Sequence, residues 1–374
     1  MRYYVFFAFL CMDLNFFHRI LSIDSTTGNE AELVDMLAVE LAAPGREIEV
    51  FPTHTGNKNL LVSWGAPRLV FCTHLDTVPP YIPPTFYPDR VEGRGTCDAK
   101  GQIFSMYEAC KELEARGYRN FGLLLLSEEE TGSYGAKSFN AMVSSEGGRE
   151  YDWVVVGEPT DNYPASAAKG TKSFEVTFTG QACHSGYPQY GQSAIMYFND
   201  FVTALRSIVF PSDPVLGETT WNIGKLSSDN PQNILSDSLT CRVYFRTTFE
   251  SDTMVCNIMK NIAGDDAKLR FGRPSVQDGS DIVAKGVAAW QKAMSVKEFG
   301  GDYPINFSKP TGFCDAKPVA FGSDAPHLDC FKHKMLCGPG SILVAHKPEE
   351  YILIEDIEKA VQNYIQIAES LLKE

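Results

Sequence analysis

Hydrophobic positions follow two different rhythms along this chain, and the change between them divides it. Toward both ends, short unbroken apolar runs stand between turn residues: LVFC at 69–72, LLLL at 123–126, WVVV at 153–156, PVAF at 318–321 and KMLC at 334–337. Runs this short and this apolar predict strands buried on both faces, as in a sheet covered by helices. Between the first two runs, Ile103, Tyr107, Cys110 and Leu113 recur at helical spacing, and Arg116 with Gly117 supplies a stop signal. Strand, helix, strand predicts a parallel pair joined by a crossover.

The middle of the chain alternates instead. Phe174, Val176 and Phe178 are interleaved with polar residues, as are Leu239, Cys241, Val243 and Phe245, which predicts strands with one buried face. A helix is expected over about 193–208, with Ile195, Phe198, Phe201, Val202, Leu205 and Ile208 on one side, and another over DTMVCNIMKNI. These elements predict an α+β insert of ferredoxin-like type over 165–274, set into a larger α/β domain made of 1–164 and 275–374.

Composition adds limits. At 374 residues, 44% hydrophobic and 21% charged, the chain is an ordinary globular sequence long enough for two domains. With 33 Lys and Arg against 47 Asp and Glu, the formal charge of −14 argues against a nucleic-acid binder and points to a small-molecule partner. No apolar run reaches the length of a membrane span. YYVFFAFLCM at 3–12 follows Arg2 as a secretory signal would, but no small-residue cleavage site comes after it, so it is expected to pack on the core. The ten cysteines contain no CxxC pair and mostly sit in apolar segments, which predicts free thiols in a reducing, cytoplasmic compartment.

The candidate chemistry sits just beyond the apolar runs. After LVFC come His74 and Asp76; after LLLL come Glu128, Glu129 and Glu130; after WVVV comes Glu158; past KMLC comes His346. The loop GRGTCDAKG adds Asp98. Open α/β sheets place ligands at the carboxyl ends of their strands, so these groups are expected on one rim. Singly, an HxD or an EEE run reads as a solvated polar pair or charge run. Together, desolvated like charges are costly unless a divalent cation neutralises them. Imidazole and carboxylate without thiolate suit zinc, cobalt or manganese, and a shared carboxylate suits two ions. Two such ions with one further carboxylate as base make a hydrolase site.

HLDTVP, GRGTCDAKG, SEEETGSYGA, GEPT, GQACHSGYP and GPGSILVAHKPEEY, in this order and spacing, resemble the zinc aminoacylase, acetylornithine deacetylase and succinyl-diaminopimelate desuccinylase metallopeptidase family. The resemblance runs from about residue 13 to the C-terminus, with FFHRILSIDSTTGNEAE similar to the family's opening helix and turn. It implies a zinc-peptidase-like catalytic domain with a mainly parallel sheet, and an inserted dimerisation or lid domain. It further implies that Asp98 bridges two zinc ions, with His74 and Glu158 on one and Glu130 and His346 on the other. Glu129 would be the general base, and Asp76 would hydrogen-bond the second imidazole nitrogen of His74. In the family, a histidine from the partner subunit's insert stabilises the oxyanion, and His184 in ACHSGYP matches it.

For the substrate, Arg246 in RVYFRT and Asn233 in PQNIL resemble positions that hold a carboxylate or the reacting carbonyl. Lys169 stands where many relatives carry Arg, and Tyr244 stands where an acid is common. Ser323 and Asp324 in FGSDAPH are expected near the pocket. The resemblance implies a cytoplasmic, homodimeric dizinc deacylase of N-acyl amino acids, similar to acetylornithine deacetylase of arginine biosynthesis. The alternatives are a dipeptidase, a carboxypeptidase or a succinyl-diaminopimelate desuccinylase of the same family, and a binding or scaffold homologue without activity.

Overall fold

All six residues of the strand Leu69–His74 and all six of Phe121–Leu126 are buried, as unbroken apolar runs require. They pair in parallel, and Tyr151–Val156 and then Phe331–Leu336 continue the parallel set. Two further strands, Lys58–Trp64 and Glu47–Pro52, add an antiparallel edge and complete a six-stranded sheet. The computed structural model describes residues 12–145, 151–269, 286–309 and 315–372. The apolar segment before Met12, with Cys11, and also Cys314 lie outside the described residues.

Helices cover this sheet because their apolar faces leave them no other place to go. In Leu14–Ser22 the Asp13 carboxylate caps the first turn, accepting from the N–H groups of Asn15 and Phe16. The same helix buries Phe16, Phe17, Ile20 and Leu21. Phe17 stacks on Phe104 of the helix Lys100–Ala115 with ring centroids 4.6 Å apart. The last helix, Ile354–Leu372, contributes Ile357, Val361, Tyr364 and Ile365 to the same core. PVAF departs from expectation: Lys317–Val319 is a three-residue, largely exposed strand outside the six-stranded sheet. Pro318 offers no N–H to a ladder, so this run suits an edge position rather than a central one.

The chain divides into two compact units. The sheet just described belongs to a unit comprising residues up to Ser166, Asn306–Val319 and Ser323 onward. The other unit holds Ala167–Ile305 with Ala320–Gly322. Its four-stranded antiparallel sheet runs in the order Thr220–Ser227, Ser238–Thr247, Gly170–Thr179, Met294–Gly300. With the helices Ala194–Arg206 and Asp252–Asn261 the order along the chain is βαββαβ, a ferredoxin-like arrangement. Phe174, Val176 and Phe178 meet Phe201 and Leu205 of the first helix and Val255 and Met259 of the second in one core. The fourth strand lies beyond 274, so this sheet extends past the boundary expected from the apolar pattern. Position 274 itself is outside the described residues.

The eight described cysteines are unpaired, and Cys72, Cys97, Cys110, Cys241 and Cys337 are buried. Among the described residues, no helix is long and apolar enough to cross a membrane.

Candidate functional site

The parallel strands bring their carboxyl ends to one edge of the first unit, and each end delivers a side chain. His74 closes its own strand, Glu129 and Glu130 follow Leu126, and Glu158 follows Val156. Asp98 arrives just ahead of the helix Lys100–Ala115, and His346 from the loop beyond Leu336. His346 and Glu128 hold φ of 63° and 64°, a left-handed backbone uncommon outside glycine and one that sequence does not announce.

The two oxygens of Asp98 face different imidazoles. Oδ1 lies 2.9 Å from Nε2 of His74, and Oδ2 lies 3.2 Å from Nε2 of His346. His346 Nε2 is also 3.0 Å from Glu130 Oε1. Ligand atoms of His74, Asp98 and Glu158 fall within 4.8 Å of one another, as do those of Asp98, Glu130 and His346. His74, Glu129 and Glu130 form a third such group. Thus all six residues named as ligands or base meet, with Asp98 common to two sets.

The charges in this cluster conflict unless a cation joins them. Burial holds the Glu158 carboxyl well above its usual range, with Asp98 adding to the effect, and burial does the same for Glu129 and, less strongly, Glu130. Burial also opposes ionisation of Asp98, but hydrogen bonds with His346 and His74 outweigh it and keep that carboxyl below its usual range. The Asp98 and Glu130 carboxylates raise His346 to about 10. Protons are thereby drawn onto groups that a divalent ion would use as ligands, which is the behaviour of a metal site. The donor set of imidazole and carboxylate fits zinc and its first-row neighbours.

Asp76 meets the second imidazole nitrogen of His74, chiefly through its backbone carbonyl. The Nδ1–H of His74 is 2.9 Å from the backbone carbonyl of Asp76 and 3.5 Å from its carboxylate. The carbonyl fixes the tautomer and leaves Nε2 with its lone pair for a metal. The carboxylate is committed elsewhere. Oδ1 accepts from Glu129 N–H at 3.0 Å, while Oδ2 accepts from Glu130 N–H at 3.1 Å and from the Thr27 hydroxyl at 2.8 Å. Glu30, fully buried, takes the next amide, accepting from Glu128 N–H at 3.2 Å. Two carboxylates therefore hold three successive amides of the SEEE turn. Asp324 is buried beside this cluster, with no partner for its Oδ1 among the described residues and its carboxyl pushed up to about 6, chiefly by burial. Ser323 Oγ accepts from Ala325 N–H at 3.4 Å.

The remaining expected residues lie in the second unit. His184 is exposed, and its Nδ1 accepts from Gly186 N–H at 3.1 Å, so the neutral ring carries its proton on Nε2. Its loop is tied to the Asn233 loop by Ser185 N–H donating to the Asn233 carbonyl at 2.9 Å. Lys169 is buried and donates to the Glu218 carbonyl. The half-buried Arg246 stacks its guanidinium 5.0 Å from the centre of the Tyr244 ring. Among the described residues no carboxylate pairs with it, and its charge depresses Lys169 after burial has done so.

A family model described as peptidase family M20/M25/M40 matches residues 70–370. The chain is 29% identical over 355 residues to a peptidase M20 domain-containing protein of Schizosaccharomyces pombe, covering 92% of this chain and 81% of that one. It is 31% identical over 392 residues to a probable carboxypeptidase of Aspergillus clavatus, covering 95% and 88%. Among solved structures, a tripeptidase from Staphylococcus aureus superposes with a TM-score of 0.73 at 17% identity, over 96% of this chain and 98% of that one, a likeness of fold.

Proposed function

The chain belongs to peptidase family M20/M25/M40 and is a metal-dependent hydrolase, and from that premise we propose that it cleaves the linear amide of an N-acylated amino acid with a free α-carboxylate. The carrying observation is the meeting of His74, Asp98, Glu130, Glu158 and His346 with Glu129 beside them. In this reading His74, Asp98 and Glu158 hold one ion, and Asp98, Glu130 and His346 hold the second. Zinc is the proposed metal, with cobalt a workable substitute. Ions held there would supply Lewis acidity, easing the ionisation of water and drawing electron density from an acyl carbonyl.

The chain's own groups do the rest. Glu129 takes the proton of the attacking water and returns it to the departing amine, a task suited to a carboxyl that burial makes more basic than usual. Asp76 and Glu30 keep the turn that carries Glu129 from rotating. In the proposed homodimer, His184 of the partner subunit, with its proton on Nε2, would donate to the oxyanion, and Arg246, with Lys169 and Asn233, would hold the substrate carboxylate and carbonyl.

Two acyl groups are compatible with this site. A short acyl group makes the protein a deacylase similar to acetylornithine deacetylase, a reading that rests on motif resemblance. A peptidyl group makes it a carboxypeptidase, which the description of the Aspergillus clavatus relative favours. Either is proposed to act as a cytoplasmic homodimer. The deciding experiment measures release of free amine from N-acetyl-L-ornithine, N-succinyl-diaminopimelate, simple dipeptides and N-blocked dipeptides, with zinc and after chelation. Chelation-sensitive turnover led by N-blocked dipeptides identifies a carboxypeptidase, and a lead for N-acetyl-L-ornithine identifies a deacylase. No turnover across the panel by protein holding two ions would discard this substrate class.

A further inference from the structure

Arg94 and Glu350 form an ion pair, Nη1 to Oε2 at 2.5 Å, with only 2% and 1% of their side chains exposed. Neither belongs to the groups able to hold an ion, yet their other bonds go to the loops that carry those groups. The second oxygen of Glu350 accepts from Cys97 N–H at 3.0 Å and from Asp98 N–H at 3.1 Å. Arg94 donates at 3.3 Å to the carbonyl of Lys347, next to His346, and at 3.3 Å to that of Pro80, in the loop leaving His74 and Asp76. Gly93 N–H donates to the Glu350 carbonyl at 2.9 Å. The pair thus joins three loops, although its members are 256 positions apart in sequence.

Burying two charges is costly, and an apolar filling of the same space often serves stability as well. What an apolar filling cannot do is accept from two backbone amides and donate to two carbonyls. We propose that the Arg94–Glu350 pair is a positioning device for the ion of the Asp98, Glu130 and His346 set, aiming the Asp98 carboxylate and fixing the His346 loop against it. This rests on the two-ion reading given above. The His74 set shares Asp98 but is less exposed to loss of the pair, because the Asp76 carbonyl orients His74 independently, whereas the second set also loses the Arg94 bond beside His346.

The test is a cobalt(II) titration of metal-free full-length protein, following visible absorption and counting bound metal, with melting temperature and kinetics beside it. Wild type is expected to take two ions. Glu350→Ala is expected to take the first normally and the second with affinity lowered about 10- to 100-fold, with an altered cobalt spectrum and a kcat that falls while KM holds. Glu350→Gln keeps an oxygen for the two amides and is expected to recover most of the second-ion affinity. If Glu350→Ala only melts earlier, with both affinities and the spectrum unchanged, the proposal is overturned. Should that variant not fold, Arg94→Lys decides: it keeps the charge but loses the fork that spans Lys347 and Pro80. Weakened second-ion binding supports the proposal, and unchanged binding overturns it. Wild type that never takes two cobalt ions would instead bring down the two-ion reading, and this inference with it.

Discussion

The Asp76 carboxylate accepts a hydrogen bond from the backbone N–H of Glu129 at 3.0 Å, and its other oxygen takes the N–H of Glu130 at 3.1 Å. One side chain thereby orients the residue proposed as base and the neighbour proposed as ligand, while its own carbonyl orients His74. Asp76→Ala removes both amide acceptors without touching a ligand atom. Its kcat is expected to fall about 10- to 100-fold, as losses of supporting hydrogen bonds at metal sites do, with weaker binding of the ion on Glu130. Steady-state kinetics and bound-metal counts check this, and wild-type values in both would remove Asp76 from the mechanism.

Glu129→Gln keeps the shape of the side chain and loses its basicity. Turnover is expected to drop about 10²- to 10⁴-fold while two ions stay bound, because His74, Asp98, Glu130, Glu158 and His346 are untouched. Metal analysis on the same sample as the rate measurement separates the two effects. Near-normal turnover would mean that another group accepts the proton.

Much of this was legible in the sequence, and the remainder was hidden for physical reasons. LVFC, LLLL and WVVV announced central strands because a strand buried on both faces has no room for polar residues. PVAF looked the same but forms an exposed edge, since four apolar letters do not report their neighbours. Met294–Gly300 was missed because its apolar alternation, Met294 and Val296, breaks at Glu298 and at the exposed Phe299, and glycine ends it. Ligands at strand ends stood out by residue type and place. Glu30 and Glu350 did not, because their work is to accept from amides distant in sequence, and one acid among 47 carries no pattern.

Removing metal should cost stability as well as activity. Without a cation, Glu130, Glu158 and Asp98 crowd their charges in a desolvated space, where burial already opposes ionisation of each. Zinc at about 100 times its dissociation constant is expected to add about 2.7 kcal/mol to the folded state. Calorimetry before and after chelation should show a lower melting temperature for the metal-free protein, restored by added zinc. Identical melting curves would show that these side chains hold no ion in solution.

Glu30 predicts a pH dependence of stability with a definite sign. Burial pushes its carboxyl from the ordinary 4.5 up to about 7, so the folded state holds this proton more tightly than the unfolded chain does. The Glu30 contribution to wild-type stability therefore falls as pH rises from about 4.5 to about 7, and levels off above that. Glu30→Gln never ionises. Its mismatch with the amides of Gly28 and Glu128 is a constant penalty, so the variant should gain on wild type across the same window. Urea denaturation of both proteins at pH 5, 6, 7 and 8 measures the difference, and a difference independent of pH would place the Glu30 titration elsewhere.

His184 offers the sharpest separation between binding metal and using it. Because Gly186 N–H donates to Nδ1 at 3.1 Å, the neutral imidazole must carry its hydrogen on Nε2, where it can be given to a developing oxyanion. Such a bond strengthens as negative charge builds on the oxygen, so its loss should appear in kcat rather than in KM. His184→Ala is expected to lower kcat about 10²- to 10³-fold with two ions still bound and the melting temperature nearly unchanged, since the side chain is exposed. His184→Gln, which keeps a donor, should recover part of the rate. A large rise in KM at constant kcat would make His184 a ground-state contact, and loss of metal from His184→Ala would make it part of the metal site itself.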